Sequence, residues 1–384
     1  MDGSAKRNLY LVGWLSLLTD LSSQMIFPLL PFYLTLSLGA TPLVVSAMEG
    51  AAESLAAFLK LYAGKWSDRT QRRKPWIVSG YGISALAKIF FALAQSWPLI
   101  FSARLFERVG KGLRSAPRDA LVADSVPKEL HGRAFGFQRA MDGAGGVLGA
   151  VLALALIQVM PFSDVFLIAV VPALMAAILT VALKEAPASA RSSKTAKPAV
   201  AVSLKLPQFL IGFGILGNLS FALILLACYQ QGASLSVSLL GYIGFQLLYT
   251  AASPIIGRLS DRHGHVSMVR VSALSYAAGY LALAGLPGYL GLVVGVGAYA
   301  LAEAAGDTSK RAWFASLCAP EARGSAMGVY HATVAALALP AGILWGWVWL
   351  KLGASVALTL ACLIALAHYL LIRAFAPNHP VSQS

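Results

Sequence analysis

The chain has 384 residues, of which 58% are hydrophobic and only 12% charged, with a mean hydropathy of +0.71. Soluble domains run about 45–50% apolar and about 25% charged, and disordered chains are more polar still, so both classes are excluded; three cysteines are too few and too scattered for a disulfide scaffold. Net charge is +14, which in a chain that uses lipid as its solvent poses a question of bilayer side and not of nucleic-acid binding.

Taken in chain order, apolar runs of roughly 20 residues, the length that crosses a bilayer, predict twelve spanning helices. In the first half they cover about 9–33, 43–64, 75–95, 97–116, 133–158 and 161–183; in the second, about 206–230, 234–256, 266–286, 288–311, 325–349 and 354–374. The first run is too long and too polar for a cleaved signal peptide. The alternating ten-residue segments of a membrane barrel are absent. Placing the N-terminus in the cytoplasm puts 23 of the 30 Lys and Arg residues on the inside, one (Lys351) on the outside and six within spans. Such a bias predicts cytoplasmic N- and C-termini and a multi-pass protein of the cell (inner) membrane.

Between the sixth and seventh spans lies KEAPASARSSKTAKPAVAVSLK, the only long polar stretch. Its Ala, Ser, Pro and Lys content predicts a flexible cytoplasmic linker over 184–205, joining six-helix bundles at 1–183 and 206–384. Internal repeats support this division. Gly64-x-x-x-Asp68-Arg69 recurs as Gly257-x-x-x-Asp261-Arg262, an offset of 193. Glu129-x-x-Gly132-x-Ala134-x-Gly136 recurs as Glu321-x-x-Gly324-x-Ala326-x-Gly328, an offset of 192. Two patterns at nearly one offset, each at the same point of its half, indicate two similar bundles.

With its span count, 6 + 6 division, linker and repeat, the chain resembles the major facilitator superfamily of secondary transporters over nearly its whole length. The loop after the second span is similar to that family's G-x-x-x-D-R-x-G-R-R/K motif, through Gly64, Asp68, Arg69, Arg72 and Arg73, with Gln71 in place of the glycine. The second copy keeps Gly257, Asp261, Arg262 and Gly264 but carries His265 where a basic residue is usual. Arg104 or Arg108, followed by Gly110 and Gly112, resembles the family's arginine motif in span four. The glycine-rich fifth span (Gly136, Gly143, Gly145, Gly146, Gly149) resembles that of drug–proton antiporters, with Ala150 where their motif has proline. The resemblance implies an all-α fold of twelve transmembrane helices in two pseudo-symmetric bundles, a monomer, and transport by alternating access. It also implies a gating role for Gly64, Asp68, Arg69, Arg72, Arg73, Gly257, Asp261 and Arg262. Physically, a carboxylate at a helix end faces the positive N-terminus of a neighbour or pairs with arginines, which makes Asp68 a latch with Arg69, Arg72 or Arg133 as partners.

Charged groups at bilayer depth are costly and mark functional positions. Asp20 sits in mid-span one. Glu49 and Glu53 share a face of span two, Lys88 is in mid-span three, span four carries Arg104, Glu107, Arg108 and Lys111, and span five carries Arg139 and Asp142. Five acids against five bases predict a paired interior network. Asp20, Glu53 and Asp142 are the candidate proton-coupling carboxylates, since burial and an approaching cation move a carboxyl group's proton affinity in opposite directions. Lys88, Arg108, Arg139, Asn218, Gln246 and Glu303 are the candidate substrate contacts, the arginines suiting an anionic group. The spans of the second half hold Glu303 and Asp307, with His331 and His368, so coupling is expected in the first half and neutral contacts in the second. Pro28, Pro31 and Pro340 predict kinks.

No GK[ST] phosphate loop, His-Glu-x-x-His or Cys-x-x-Cys pattern occurs, so neither an ATP-driven pump, a metal site nor a cofactor is expected. Cys228, Cys318 and Cys362 read as small apolar fillers. The sequence therefore predicts a non-enzymatic secondary transporter of a small organic solute, proton-coupled, with export favoured; its partners are the solute, protons and lipid, not nucleic acid. The alternatives are an importer of an organic anion or a siderophore-like metal chelate, and a non-transporting membrane sensor.

Overall fold

The computed structural model describes residues 3–70, 72–127, 130–185, 204–317 and 323–376. Most of the linker assigned to 184–205 lies outside these residues, as do Gln71, Glu129, Cys318 and Glu321. Among the described residues every regular element is helical. In the first half these are α1 (Gly3–Ile26), α2 (Pro42–Thr70), α3 (Lys74–Leu93), α4 (Trp97–Ser125), α5 (His131–Leu156) and α6 (Phe162–Leu179). The second half has α7 (Lys205–Leu216), α8 (Phe221–Gln230), α9 (Leu235–His263), α10 (His265–Gly285), α11 (Gly288–Ser316), α12 (Arg323–Leu352) and α13 (Ala354–Phe375). Each of the twelve predicted spans has its helix, the seventh being split into α7 and α8.

Ten of these spans are long and apolar enough to cross a membrane on composition alone. The two that fall short are α1, with Asp20 and a polar N-terminal turn, and α4, with its row of charges. The predicted end of the fourth span at 116 is corrected: α4 runs on to Ser125, so that Arg114 stands well inside it and Arg118 is added to it. These two, and Lys310 within α11, are interior helix residues and not loop residues. Apolarity ends a predicted span where charge begins, yet a helix enclosed by its bundle continues through charges that its neighbours satisfy. Pro28 and Pro31 do interrupt the first span. α1 stops at Ile26, and the chain resumes as a short turn of helix and a π-helix over Tyr33–Ser37, where Thr35 bonds back to the Pro31 carbonyl.

The chain forms two compact units, residues 1–40 with 51–195 and residues 41–50 with 196–384, so the first turns of α2 group with the second unit. Within the first unit α1 packs on α5 and α6, and α3 packs on α4 and α6. Within the second, α7 packs on α12, α10 on α11 and α13, and α9 on α11. The pairs α1–α5, α3–α4 and α3–α6 thus recur as α7–α12, α10–α11 and α10–α13, which is the sequence repeat expressed as packing. Both units place an apolar core among corresponding helices: Val12, Leu15, Ile77, Tyr81, Leu121 and Val122 in one, Leu210, Ile211, Val269, Trp313, Phe314 and Ile372 in the other.

The tightest approach in the first unit is α1 against α5. A Cβ built on Gly145 would strike the Leu17 carbonyl, and one on Gly149 would strike the Leu21 carbonyl. Only glycine at this four-residue spacing lets the two backbones meet. Large apolar side chains such as Phe58, Ile178, Val181, Leu281 and Val293 are exposed on the outer faces, as expected where the solvent is lipid.

Candidate functional site

Helix α4 organises the first unit. Arg104, Glu107, Arg108, Lys111, Arg114 and Arg118 recur at steps of three and four, so they form one stripe. Near its start Glu107 is 2% exposed and is shared by three cations: Arg104 at 3.2 Å, Arg108 at 3.6 Å and Lys88 of α3 at 3.9 Å. The Lys88 ammonium also donates to Ser23 of α1 at 3.0 Å, and the Arg104 guanidinium lies 5.1 Å over the Phe27 ring. Lys88 is therefore buried and engaged from two helices. Two turns on, Arg114 donates to Ser84 and stacks 4.6 Å over Tyr81, both on α3. These contacts bolt α3, α4 and the C-terminal end of α1 together through charge.

The far end of the stripe is looser. Arg118 reaches Ser16 of α1 at 3.2 Å, Asp119 at 3.3 Å and Asp142 of α5 at 3.9 Å. Asp142 and Arg118 are each only partly enclosed, with 17% of either side chain exposed. Asp20, half-buried on α1, lies within electrostatic reach of Asp142, Lys111, Arg118 and Arg114. Glu53 is exposed and lies within reach of Lys111. Two predicted carboxylates, Asp20 and Asp142, thus converge on one cation, Arg118. Arg139, expected to share a network with Asp142, is exposed and makes no hydrogen bond or ion pair with another described residue. Asp142 turns instead to Arg118. The sequence reading missed Arg114 and Arg118 because they follow the apolar run, although the helical spacing of the stripe continues without a break into them.

The second unit is built differently. Its first span breaks at Gly217–Ser220, between α7 and α8, and several backbone groups freed there find a side chain or a turn. The Leu219 amide donates to the Tyr280 hydroxyl at 3.1 Å, and the Leu219 carbonyl accepts from Tyr299 at 2.9 Å. Trp345 of α12 donates to the Leu216 carbonyl at 2.8 Å. Asn218 sits in the break. Its oxygen accepts from Tyr280 at 2.6 Å, and its amide donates to Tyr276 at 3.2 Å and to Glu303 at 3.4 Å. Tyr276 in turn donates to Glu303 at 2.6 Å. Two of the predicted substrate contacts, Asn218 and Glu303, therefore belong to one network, while Gln246 lies half-buried on α9 outside it. Rings of Phe221, Tyr242, Phe245, Tyr276, Tyr280 and Tyr299 enclose the network, the closest pair being Phe221 and Phe245 at 4.2 Å. The break was unforeseen; its signal was the turn-forming Gly217-Asn218-x-Ser220 inside an otherwise apolar run.

At the end of α2, the ion pair of Asp68 runs to Arg73, which also approaches Asp124 at the end of α4 at 3.5 Å and donates to Ser67 at 2.8 Å. Arg73 is buried while Asp68 is largely exposed, and Arg69, Arg72 and Arg133 are exposed. The motif's centre is thus its last arginine, held on the serine that precedes the aspartate. In the second copy His265 occupies the corresponding place: its ring bonds Ser260 at 2.8 Å, and Ser260 accepts from Ser309 of α11 at 3.2 Å. Asp261 and Arg262 are exposed. Gly264 stands between the two helices at φ +87°, a conformation that favours glycine. Cys228 and Cys362 are buried free thiols.

The family model described as Major Facilitator Superfamily matches residues 12–244 and 208–384. The chain belongs to this superfamily. It is 31% identical over 361 residues to an MFS-type transporter of Methanocaldococcus jannaschii, covering 91% of this chain and 90% of that one. A shorter match, 32% identical over 143 residues, is to the multidrug resistance protein MdtH of Photorhabdus laumondii, and it spans 37% of this chain and 35% of that one. Among solved structures the fold is similar to the nucleoside transporter NupG, with TM-score 0.80, 16% identity, and 96% and 98% of the two chains covered. It is also similar to a peptide transporter of the POT family, with TM-score 0.80, 14% identity, and 97% and 94% covered. The protein is therefore a multi-pass membrane transporter of the secondary class with the fold of two helical bundles, and not an enzyme.

Proposed function

We propose that this transporter moves a small organic solute by alternating access, driven by protons, and that Asp20 and Asp142 are its coupling carboxylates. The observation that carries the reading is the convergence of both on Arg118, with Lys111 beside Asp20, in a part of the first unit that is half-open and not sealed. A carboxylate in that position is ionised while it faces the cation and takes up a proton when the cation withdraws. Protonating Asp142 frees Arg118, which is already shared with Asp119 and Ser16, so the cation has another partner to move to. Such an exchange of partners converts a proton into a change of contacts between α1, α4 and α5. The pair of Arg73 with Asp68 and Asp124 acts as the latch at the ends of α2 and α4, which the reading places on the cytoplasmic side. Export is favoured by this latch, by the glycine seam on α5 and by the partial likeness to MdtH.

A second reading, import of an organic anion or metal chelate, is favoured by the run of five cations along α4. Purified protein in sealed proteoliposomes tests both. A thermal-shift screen selects a solute, because binding to the folded form alone raises its apparent stability. Solute flux is then followed under an imposed pH gradient. D142N and D20N should abolish gradient-driven accumulation while solute counterflow persists; accumulation equal to wild type in both variants overturns the coupling assignment. No flux for any binding solute, with or without the gradient, favours a sensor. A ligand set confined to acids, moving inward, favours the second reading.

A further inference from the structure

The second unit contains a small enclosed cavity with Asn218, Ser272, Tyr276, Tyr280, Lys310 and His368 on its walls. Two of these side chains bring unspent hydrogen-bonding capacity to it. His368 of α13 is 5% exposed; its ring lies against the Leu210 backbone, and its Nε2 is buried with no partner among the described residues. A ring whose one N–H serves a carbonyl carries a lone pair on the other nitrogen, so Nε2 calls for a donor. Lys310 of α11 has three donors, yet makes no direct hydrogen bond with a described residue; its Nζ rests 6.0 Å from the centroid of the Tyr276 ring. It lies within electrostatic reach of Glu303, Asp307 and His368. Gly214 makes the approach possible: a Cβ there would come within 3.0 Å of His368 Nε2.

We propose that this cavity is a proton site in which one water accepts a hydrogen bond from Lys310 Nζ and donates one to His368 Nε2. The cavity has room for about one water, and among its largely apolar walls Lys310, His368, Asn218, Ser272 and the tyrosine hydroxyls are the polar groups that such a water needs as partners. Transfer through it breaks one N–H bond of the ammonium and forms one on the imidazole: the water takes the lysine proton and gives up one of its own to Nε2. A neutral amine and an imidazolium result, with no change in the charge of the site. Glu303, already holding Tyr276 and Asn218, is the counter-charge in both forms. The titratable groups facing His368 and Lys310 are each other, Tyr276 and Tyr280 of α10, and Glu303 and Asp307 of α11. None belongs to the coupling group assigned to the first unit, so the two assignments stand or fall separately.

The test is water-edited solid-state NMR of the full chain in lipid bilayers with 15N-labelled histidine, the His368 signals being assigned by their loss in H368F. In the wild type, Nε2 of His368 should show transfer from water protons and the shift of an unprotonated, hydrogen-bonded nitrogen. K310M should remove the water transfer while the other histidine signals stay in place. Ala365→Val, which thickens the cavity wall without touching either titratable group, should also remove it. A wild-type Nε2 with no water contact overturns the proposal, as does a contact that survives both K310M and A365V.

Discussion

The two units share their packing and differ in what fills it. In the first, the interior is held by ion pairs radiating from α4; in the second, the corresponding helix α11 presents Tyr299 and Glu303 to a broken helix, and hydroxyl and amide groups do the bonding. The helix pairings that recur rest on small residues and apolar side chains, which are indifferent to the polar groups beside them. A repeated fold therefore fixes where helices run but leaves their facing polar positions free to diverge. In this chain the divergence separates ion pairs strung along one helix from hydroxyl, amide and carboxylate groups gathered at a helix break.

The sharpest way to break the comparison is at Glu107. E107Q leaves Lys88, Arg104 and Arg108 without their shared carboxylate in a buried site. Removing one partner of a buried ionic group costs about 3–5 kcal/mol, so the variant should show a large fall in unfolding temperature in detergent. E303Q in the second unit, where the carboxylate receives only neutral donors, should cost much less. Next in size is the contrast between the two copies of the loop motif. Arg73→Ala removes charge-assisted bonds to Asp68, Asp124 and Ser67, worth about 1.5–3 kcal/mol, whereas His265→Ala removes one bond to Ser260 and should cost about 0.5–1.5 kcal/mol. Equal costs would mean that the two copies do the same work. The smallest expected effect is Y299F, which leaves the Leu219 carbonyl without its donor and should cost about 1 kcal/mol, with faster amide exchange confined to the break and not spread along α7 and α8.

Much of this was legible in the sequence, for identifiable reasons. Spans are visible because lipid demands apolar length, and the repeat is visible because Gly64 and Asp68 return as Gly257 and Asp261. Asp20 and Asp142 stood out as charges inside apolar runs. Their partner did not: Arg118 lies beyond the apolar run, and sequence distance gives no hint that it, and not the nearby Arg139, faces Asp142. That Asp68 pairs with an arginine was legible, but the choice of Arg73 over Arg69, Arg72 or Arg133 depends on the turn that brings residue 73 back onto Ser67. The cradle in the second unit was hidden for another reason. Tyrosines spaced four apart, such as Tyr276 and Tyr280, look like ordinary core until the break gives their hydroxyls something to hold.

That break has a mechanical corollary. Leu219 within it is gripped by Tyr280 from α10 and Tyr299 from α11, and Leu216 at its edge by Trp345 from α12, each at a different backbone atom. A joint clamped from three directions cannot lengthen, twist or slide unless all three clamps travel together. The segment 217–220 thus acts as a rivet, and any rearrangement of the second unit during a transport cycle must carry α10, α11 and α12 as one plate or else shear the rivet loose.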